Sequence, residues 1–165
     1  MSKVIVEAIL RTWDRQRDYA MRLVADLSQD DMISQPVPGV IMNHPAWVFS
    51  HIGLYPPVLS AILRGEPFED PINSPYGKDS RPLSEAAAYA EKSTLMDGYF
   101  RGHDDLAATL ARADLGVLAL PIPLARWKQR FPFVADAIIH LMIDHEMGHL
   151  GQISAWRRAG KRASV

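Results

Sequence analysis

The 165-residue chain contains no cysteine, which removes disulfides, thiolate metal sites and a cysteine nucleophile together. It also lacks a dominant charge: 18 Lys+Arg stand against 19 Asp+Glu, a net charge of −1 with the six histidines neutral. No basic surplus draws it to nucleic acid or to an anionic membrane, so a small molecule is the default partner. No apolar run approaches the ~20 residues needed to cross a bilayer, and the opening "MSKVIVEAILRTWDRQRDYAMRLVADL" is broken by charges every few residues. No internal repeat and no convincing strand pattern stand out. What remains is the expectation of one cytoplasmic domain spanning residues 1–165, with 48% hydrophobic residues to build its core.

Helical periodicity fills most of the chain. From Val4 to Leu27 apolar residues recur at Ile5, Ile9, Trp13, Ala20, Leu23, Val24 and Leu27, with charges on the other face. After the turn-rich "SQDDMISQPVPGVIMN", Asn43 or His44 caps a second helix with Pro45 in its first turn. Pro56-Pro57 should kink that helix before it ends near Gly65. "EPFEDPINSPYGKDSRP" then reads as a long irregular crossover. The third helix is expected from a Ser84 cap to Arg112, and the fourth from about Val134 to Ala159, stopped by Gly160. Between them, "ADLGVLALPIPLARWKQRFPF" has room only for a short strand or helical turn. The expected fold is all-α: a four-helix bundle with a long crossover between helices 2 and 3.

The fourth helix contains "HEMGH", residues 145–149, the spelling of a zinc-protease motif. Histidines at i and i+4 lie about 40° apart and roughly 5–6 Å along a helix, so both can reach one cation. A catalytic zinc needs a third protein ligand and an open position. Downstream, "LGQISAWRRAGKRASV" offers no His, Asp or Glu, and nothing supplies the edge strand that aligns a peptide substrate. The protease reading therefore fails, and any third ligand must come from upstream. His51 on the second helix shares a face with His44, Trp47, Tyr55, Val58 and Ile62. Facing helices of a bundle are where such side chains combine. His51, His145 and His149 would form a three-histidine site with room for water or substrate. The competing reading is a set of core histidines satisfied by hydrogen bonds.

"NHPAWVFSHIG" and "RFPFVADAIIHLMIDHEMGHLGQISAWRRAG" together resemble the DinB/YfiT-like superfamily of metal-dependent four-helix bundles. In that family a histidine from helix two and an H-x-x-x-H pair from helix four, followed by Gly-Gln and an aliphatic residue, hold a divalent metal, commonly zinc or nickel. The resemblance places the ligands at His51, His145 and His149, with Gly151-Gln152-Ile153 completing the signature. It implies a metal-dependent enzyme, a thiol-dependent transferase or isomerase or a hydrolase acting on a small electrophile. Low-molecular-weight thiols are the cosubstrates it brings with it. The alternative is a non-catalytic, stress-associated metal- or ligand-binding bundle.

Other residues are placed by helical angle. Gln152 lies on the metal face, where it can hydrogen-bond a ligand. Glu146, about 80° from the centre of that face, is expected on the flank or surface, with a supporting role at the site. Tyr55 can line the pocket, and His44 can start the second helix or border the pocket rim. His103 on the third helix reads as a core histidine with a pocket role as its rival. His140, nearly opposite the metal face, is expected at the surface or in a subunit contact, and Trp47 and Trp156 in packing. "RFPF" and residues 66–82 are candidates to cover the pocket mouth. A bundle of this size is also expected to pair as a homodimer.

Overall fold

The computed structural model describes residues 2–165, and among them there are helices and turns but no strand. Helix α1 (Lys3–Val24) buries Val6, Ile9, Trp13, Gln16, Ala20, Leu23 and Val24. The spacing of three and four is the one expected of a core-facing helix. Its register differs from the sequence expectation at two places: Ile5 is exposed, with Val6 taking its place, and a polar residue, Gln16, is buried.

The second rod is two helices. Helix α2 (Pro45–Ile52) ends at Gly53, and α3 (Pro56–Arg64) starts afresh on Pro56. A kink was expected, but neither Pro56 nor Pro57 has an N–H to return to α2, so the ladder stops outright. Gly65 closes α3 at φ 68°, the left-handed position that glycine takes without penalty. His44 starts α2: its Nδ1 accepts the Trp47 N–H at 3.2 Å, leaving Nε2–H to donate to the Leu83 carbonyl at 3.2 Å.

Helix α4 runs from Lys92 to Arg112, starting later than the expected Ser84 cap. The alanine-rich stretch before it has the propensity for a helix and forms only the turn Ala86–Ala88. Tertiary contacts win here. Tyr89 is buried, its hydroxyl accepts the Leu83 N–H at 2.8 Å, and Tyr76 donates to the Ala88 carbonyl. Lys92 then anchors the helix start, its N–H on Gln29 Oε1 and its ammonium on the Val24 and Leu27 carbonyls.

Residues 113–133 form short turns, Leu115–Ala119 and Ala125–Trp127, held by a bridge between Pro121 and Phe133. The last rod follows as α5 (Val134–Ile139), a π-helical segment (His140–His145) and α6 (Glu146–Ala159). Its ends agree with the sequence expectation. The π segment inside it was not expected.

Helix α4 packs on α1, α2 and α3, and α6 packs on α1 and α2. Phe49 meets Tyr99 while Arg64 bonds Asp105 and Thr109, so the second rod and α4 run in the same direction. Two apolar clusters fill the bundle. One gathers Val6, Ile9 and Trp13 with Leu106, Leu110, Ile138 and Met142; the other gathers Leu23 and Val24 with Trp47, Phe49, Tyr99, Leu150 and Trp156. Between them on the helices lie Gln16, His51, His103 and Glu146, all buried and all polar.

One stretch, Pro45–Arg64, is apolar enough by length and composition to cross a membrane, with mean hydropathy 1.4. The sequence reading had found no such run. Here 72% of its apolar 18-residue window is buried inside the protein and the break at Gly53 divides it, as suits the core rod of a bundle.

The His44 cap carries a testable cost. H44A leaves the Trp47 N–H and the Leu83 carbonyl without partners and should lower stability by about 1–3 kcal/mol, read from denaturant midpoints. H44N, which restores an acceptor at the cap, should recover part of the loss.

Candidate metal centre

His51 from α2, His145 from the π segment and His149 from α6 converge, each offering a nitrogen within 4.8 Å of the others. His51 Nε2 and His145 Nε2 are 3.1 Å apart. Two nitrogens on one tetrahedral zinc at bonds of 2.0–2.1 Å stand about 3.3 Å apart. The pair is therefore already near ligand spacing.

Two of the three outer nitrogens, those of His51 and His149, are committed elsewhere. His51 Nδ1–H donates to the Tyr76 carbonyl at 2.6 Å, and His149 Nδ1–H donates to Gln152 Oε1 at 3.0 Å. Gln152 Oε1 also accepts from Asn43 Nδ2 at 2.9 Å, which ties it to the start of α2. These bonds set the tautomer that leaves Nε2 with its lone pair free, the arrangement metal-binding histidines use. Trp47 stacks on His51 at 4.8 Å and 8°, holding that ring in plane. Sequence reasoning assigned Trp47 to packing alone; it also lines the cavity.

All three rings are held neutral at pH 7. Burial lowers the His51 pKa; burial and then the neighbouring His149 and His51 lower His145 to about 3; burial and then His51 lower His149 to about 4. A neutral imidazole is the form that ligates. Three neutral imidazoles are a donor set that could hold a metal ion.

The three nitrogens face a cavity of about 970 Å³. Residues from the 66–82 loop (Pro71 to Ser80) and Arg130 and Phe131 from "RFPF" wall it, as expected of both segments. Tyr55 lines it too, and its hydroxyl donates to Asp70 Oδ1 at 3.1 Å.

His140 departs from its expected place. It lines the same cavity, its ring 5.6 Å from that of His145 and stacked on Phe131 at 4.6 Å. The π segment is the reason. Bonding from i to i+5 brings residues five apart onto one face, so the angle counted at 100° per residue puts His140 on the wrong side.

Glu146 departs as well. Instead of the flank or surface it is 2% exposed, accepts the Tyr99 hydroxyl at 2.8 Å and lies 3.5 Å from His103 Nε2. Neither Glu146 nor His103 lines the cavity. His103 is the core histidine expected, stacked on Trp13 at 3.9 Å and 8°. His44 likewise serves the start of α2 rather than the rim. Burial drives both partners of the Glu146–His103 pair toward their neutral forms, Glu146 up to about 8 and His103 down to about 3. The buried Gln16 donates to the Ile143 carbonyl at 3.4 Å, inside the π segment.

An all-helical bundle with a three-histidine group at the wall of one cavity defines a class of metal-site protein. The profile of the DinB superfamily matches residues 12–153, and the chain belongs to that superfamily. Comparison with curated proteins returned no match.

Glu146 sets a pH signature. A carboxyl raised from 4.5 to about 8 contributes stability that is complete below the lower value and is lost as pH rises through the upper one. Wild type should therefore lose stability relative to E146Q at up to about 1.4 kcal/mol per pH unit across that interval. Denaturant midpoints of the two proteins that stay parallel would show that Glu146 is ionised throughout.

Proposed function

We propose that the protein is a metal-dependent enzyme of small-molecule chemistry, using a divalent cation held by His51, His145 and His149. The observation that carries this reading is the three converging nitrogens with no fourth histidine or carboxylate in their group among the described residues. Three protein donors leave a position open, as catalytic sites do and structural zinc sites do not. Zinc or nickel is the cation proposed.

A bound cation of this kind lowers the pKa of a thiol or water at its open position and so supplies a nucleophile near neutral pH. The rest falls to the chain. The Tyr76 carbonyl and Gln152 fix the ligand rings, Trp47 shields them, and the Trp127 and Phe131 rings give the substrate apolar walls. His140, kept neutral chiefly by burial, offers a base on the same cavity. The cavity matches the volume of small-molecule sites. With no cysteine of its own, the protein would take any thiol from solution, and a low-molecular-weight thiol attacking a small electrophile is the reaction proposed.

The same reading takes residues 66–91 as the long crossover of the bundle. Helices running in the same direction oblige the chain to return along their length, and that return brings Tyr76 to His51. A cytoplasmic homodimer completes the proposal, with Phe133 and Ile139 among the exposed apolar residues that pairing would cover.

Protein exposed to zinc or nickel and freed of excess metal should retain one equivalent by elemental analysis. H51A, H145A and H149A should each lose it, whereas Q152A should weaken binding by about 10–100-fold. Absence of retained metal in the wild type would end the reading. Metal retained without any spectral response of a cobalt-substituted site to added thiol would favour a non-catalytic role.

A further inference from the structure

Three cationic side chains line the cavity, Lys78, Arg126 and Arg130, and they are not equivalent. Arg126 is fully engaged. Its Nε and Nη2 each meet an Asp70 oxygen at 2.7 Å, and Nη2 also bonds the Tyr55 hydroxyl. That cluster clasps the 66–82 loop to the turn Ala125–Trp127, and its charge is neutralised on the spot. Lys78 is exposed on the loop with Asp79 as its chain neighbour.

Arg130 is exposed, as Lys78 is, and differs from it in lying over an aromatic ring of the cavity wall. Among the described residues its guanidinium has no carboxylate within ion-pair distance and no hydrogen-bond acceptor; it lies over the Phe131 ring at 5.2 Å. Phe131 stacks on His140, and His140 neighbours His145. The guanidinium thus stands two rings away from the three-histidine group, on the same cavity. A guanidinium that lies over an aromatic ring and makes no hydrogen bond keeps its N–H donors free for an oxyanion.

We propose that Arg130 determines substrate class: it binds the carboxylate or phosphate group of a small organic anion whose other end reaches the three-histidine group. This rests on the metal reading above and sharpens it. The substrate is bifunctional, with an electrophilic or thiol end at the histidines and an oxyanion end at Arg130. Apolar walls at Trp127 and Phe131 accept the short chain between them.

The test uses three thiols of matched length, 3-mercaptopropionate, 2-mercaptoethyl phosphate and 3-mercaptopropanamide, titrated into cobalt-substituted protein and followed by the sulfur-to-metal charge-transfer band. At least one anionic thiol should bind about tenfold tighter than the neutral amide, the lower range of a charge-assisted contact. Whichever of carboxylate and phosphate gains more identifies the group. The preference should fall below about twofold in R130Q and persist in K78Q. Equal binding of all three thiols to wild type, or a preference that survives R130Q, overturns the role of Arg130 while leaving the metal reading intact. If no thiol gives a band, the thiol chemistry proposed for the metal fails instead. The Arg130 site is then judged on metal-free protein by thermal shift with glutarate and glutaramide: a shift with glutarate only, lost in R130Q, upholds it, and no such difference overturns it.

Discussion

Buried polar groups are costly wherever they lack partners, and this bundle gathers several of its own into one belt. Two apolar clusters occupy its ends, and the polar residues Gln16, His51, His103 and Glu146 lie between them. On one side of the belt Glu146 accepts the Tyr99 hydroxyl, while His103 Nε2, 3.5 Å from Glu146, makes no hydrogen bond and its ring is held by the stacked Trp13. On the other side backbone and amide oxygens bond the outer nitrogens of His51 and His149, with the inner nitrogens left to one another. Burial of an unpaired polar group costs several kcal/mol. The three histidines of that side offer nitrogens that lie within 4.8 Å of one another and could hold one metal ion together.

Much of this was legible in the sequence because it depends on spacing along single helices. His145 and His149 share a face by their separation of four, and His51 sits on the apolar face of α2 by the same arithmetic. The four rods, their order and the last helix's ends followed from periodicity and from proline and glycine placement. The belt's supporting contacts did not, since each joins residues far apart in the chain. Tyr76 reaches His51 across 25 positions and Asn43 reaches Gln152 across 109. No local pattern marks a loop carbonyl as a histidine's partner.

The misplacement of His140 has its cause in the last rod. Counting at 100° per residue assumes an unbroken α-helix through 134–159, and the π segment at His140–His145 breaks that count. His140 swings into the cavity, and the pattern that would have hinted at it, a histidine five residues before another, is read only by someone already expecting i to i+5 bonding. The late start of α4 is a different lesson. Alanines at 86–88 favour a helix, but Tyr89 finds a buried place and a hydrogen bond that an α-helical Tyr89 would forfeit. Local preference of a few tenths of a kcal/mol per residue yields to one buried aromatic.

The same belt explains why a sequence that spells a zinc-protease motif does not build a zinc protease. In that chemistry the glutamate between the histidines must be ionised at neutral pH and must face the metal's open position to take a proton from water. Glu146 meets neither condition. Its carboxyl turns to Tyr99 and His103 inside the bundle, away from the cavity, and burial pushes its pKa up to about 8. A protonated, inward-facing carboxyl is a core residue, so the histidines at 145 and 149 acquire their meaning from His51 on another helix. Among the described residues, His140 and Arg130 from the segment just before them share their cavity, and neither belongs to the five letters that first suggested a protease.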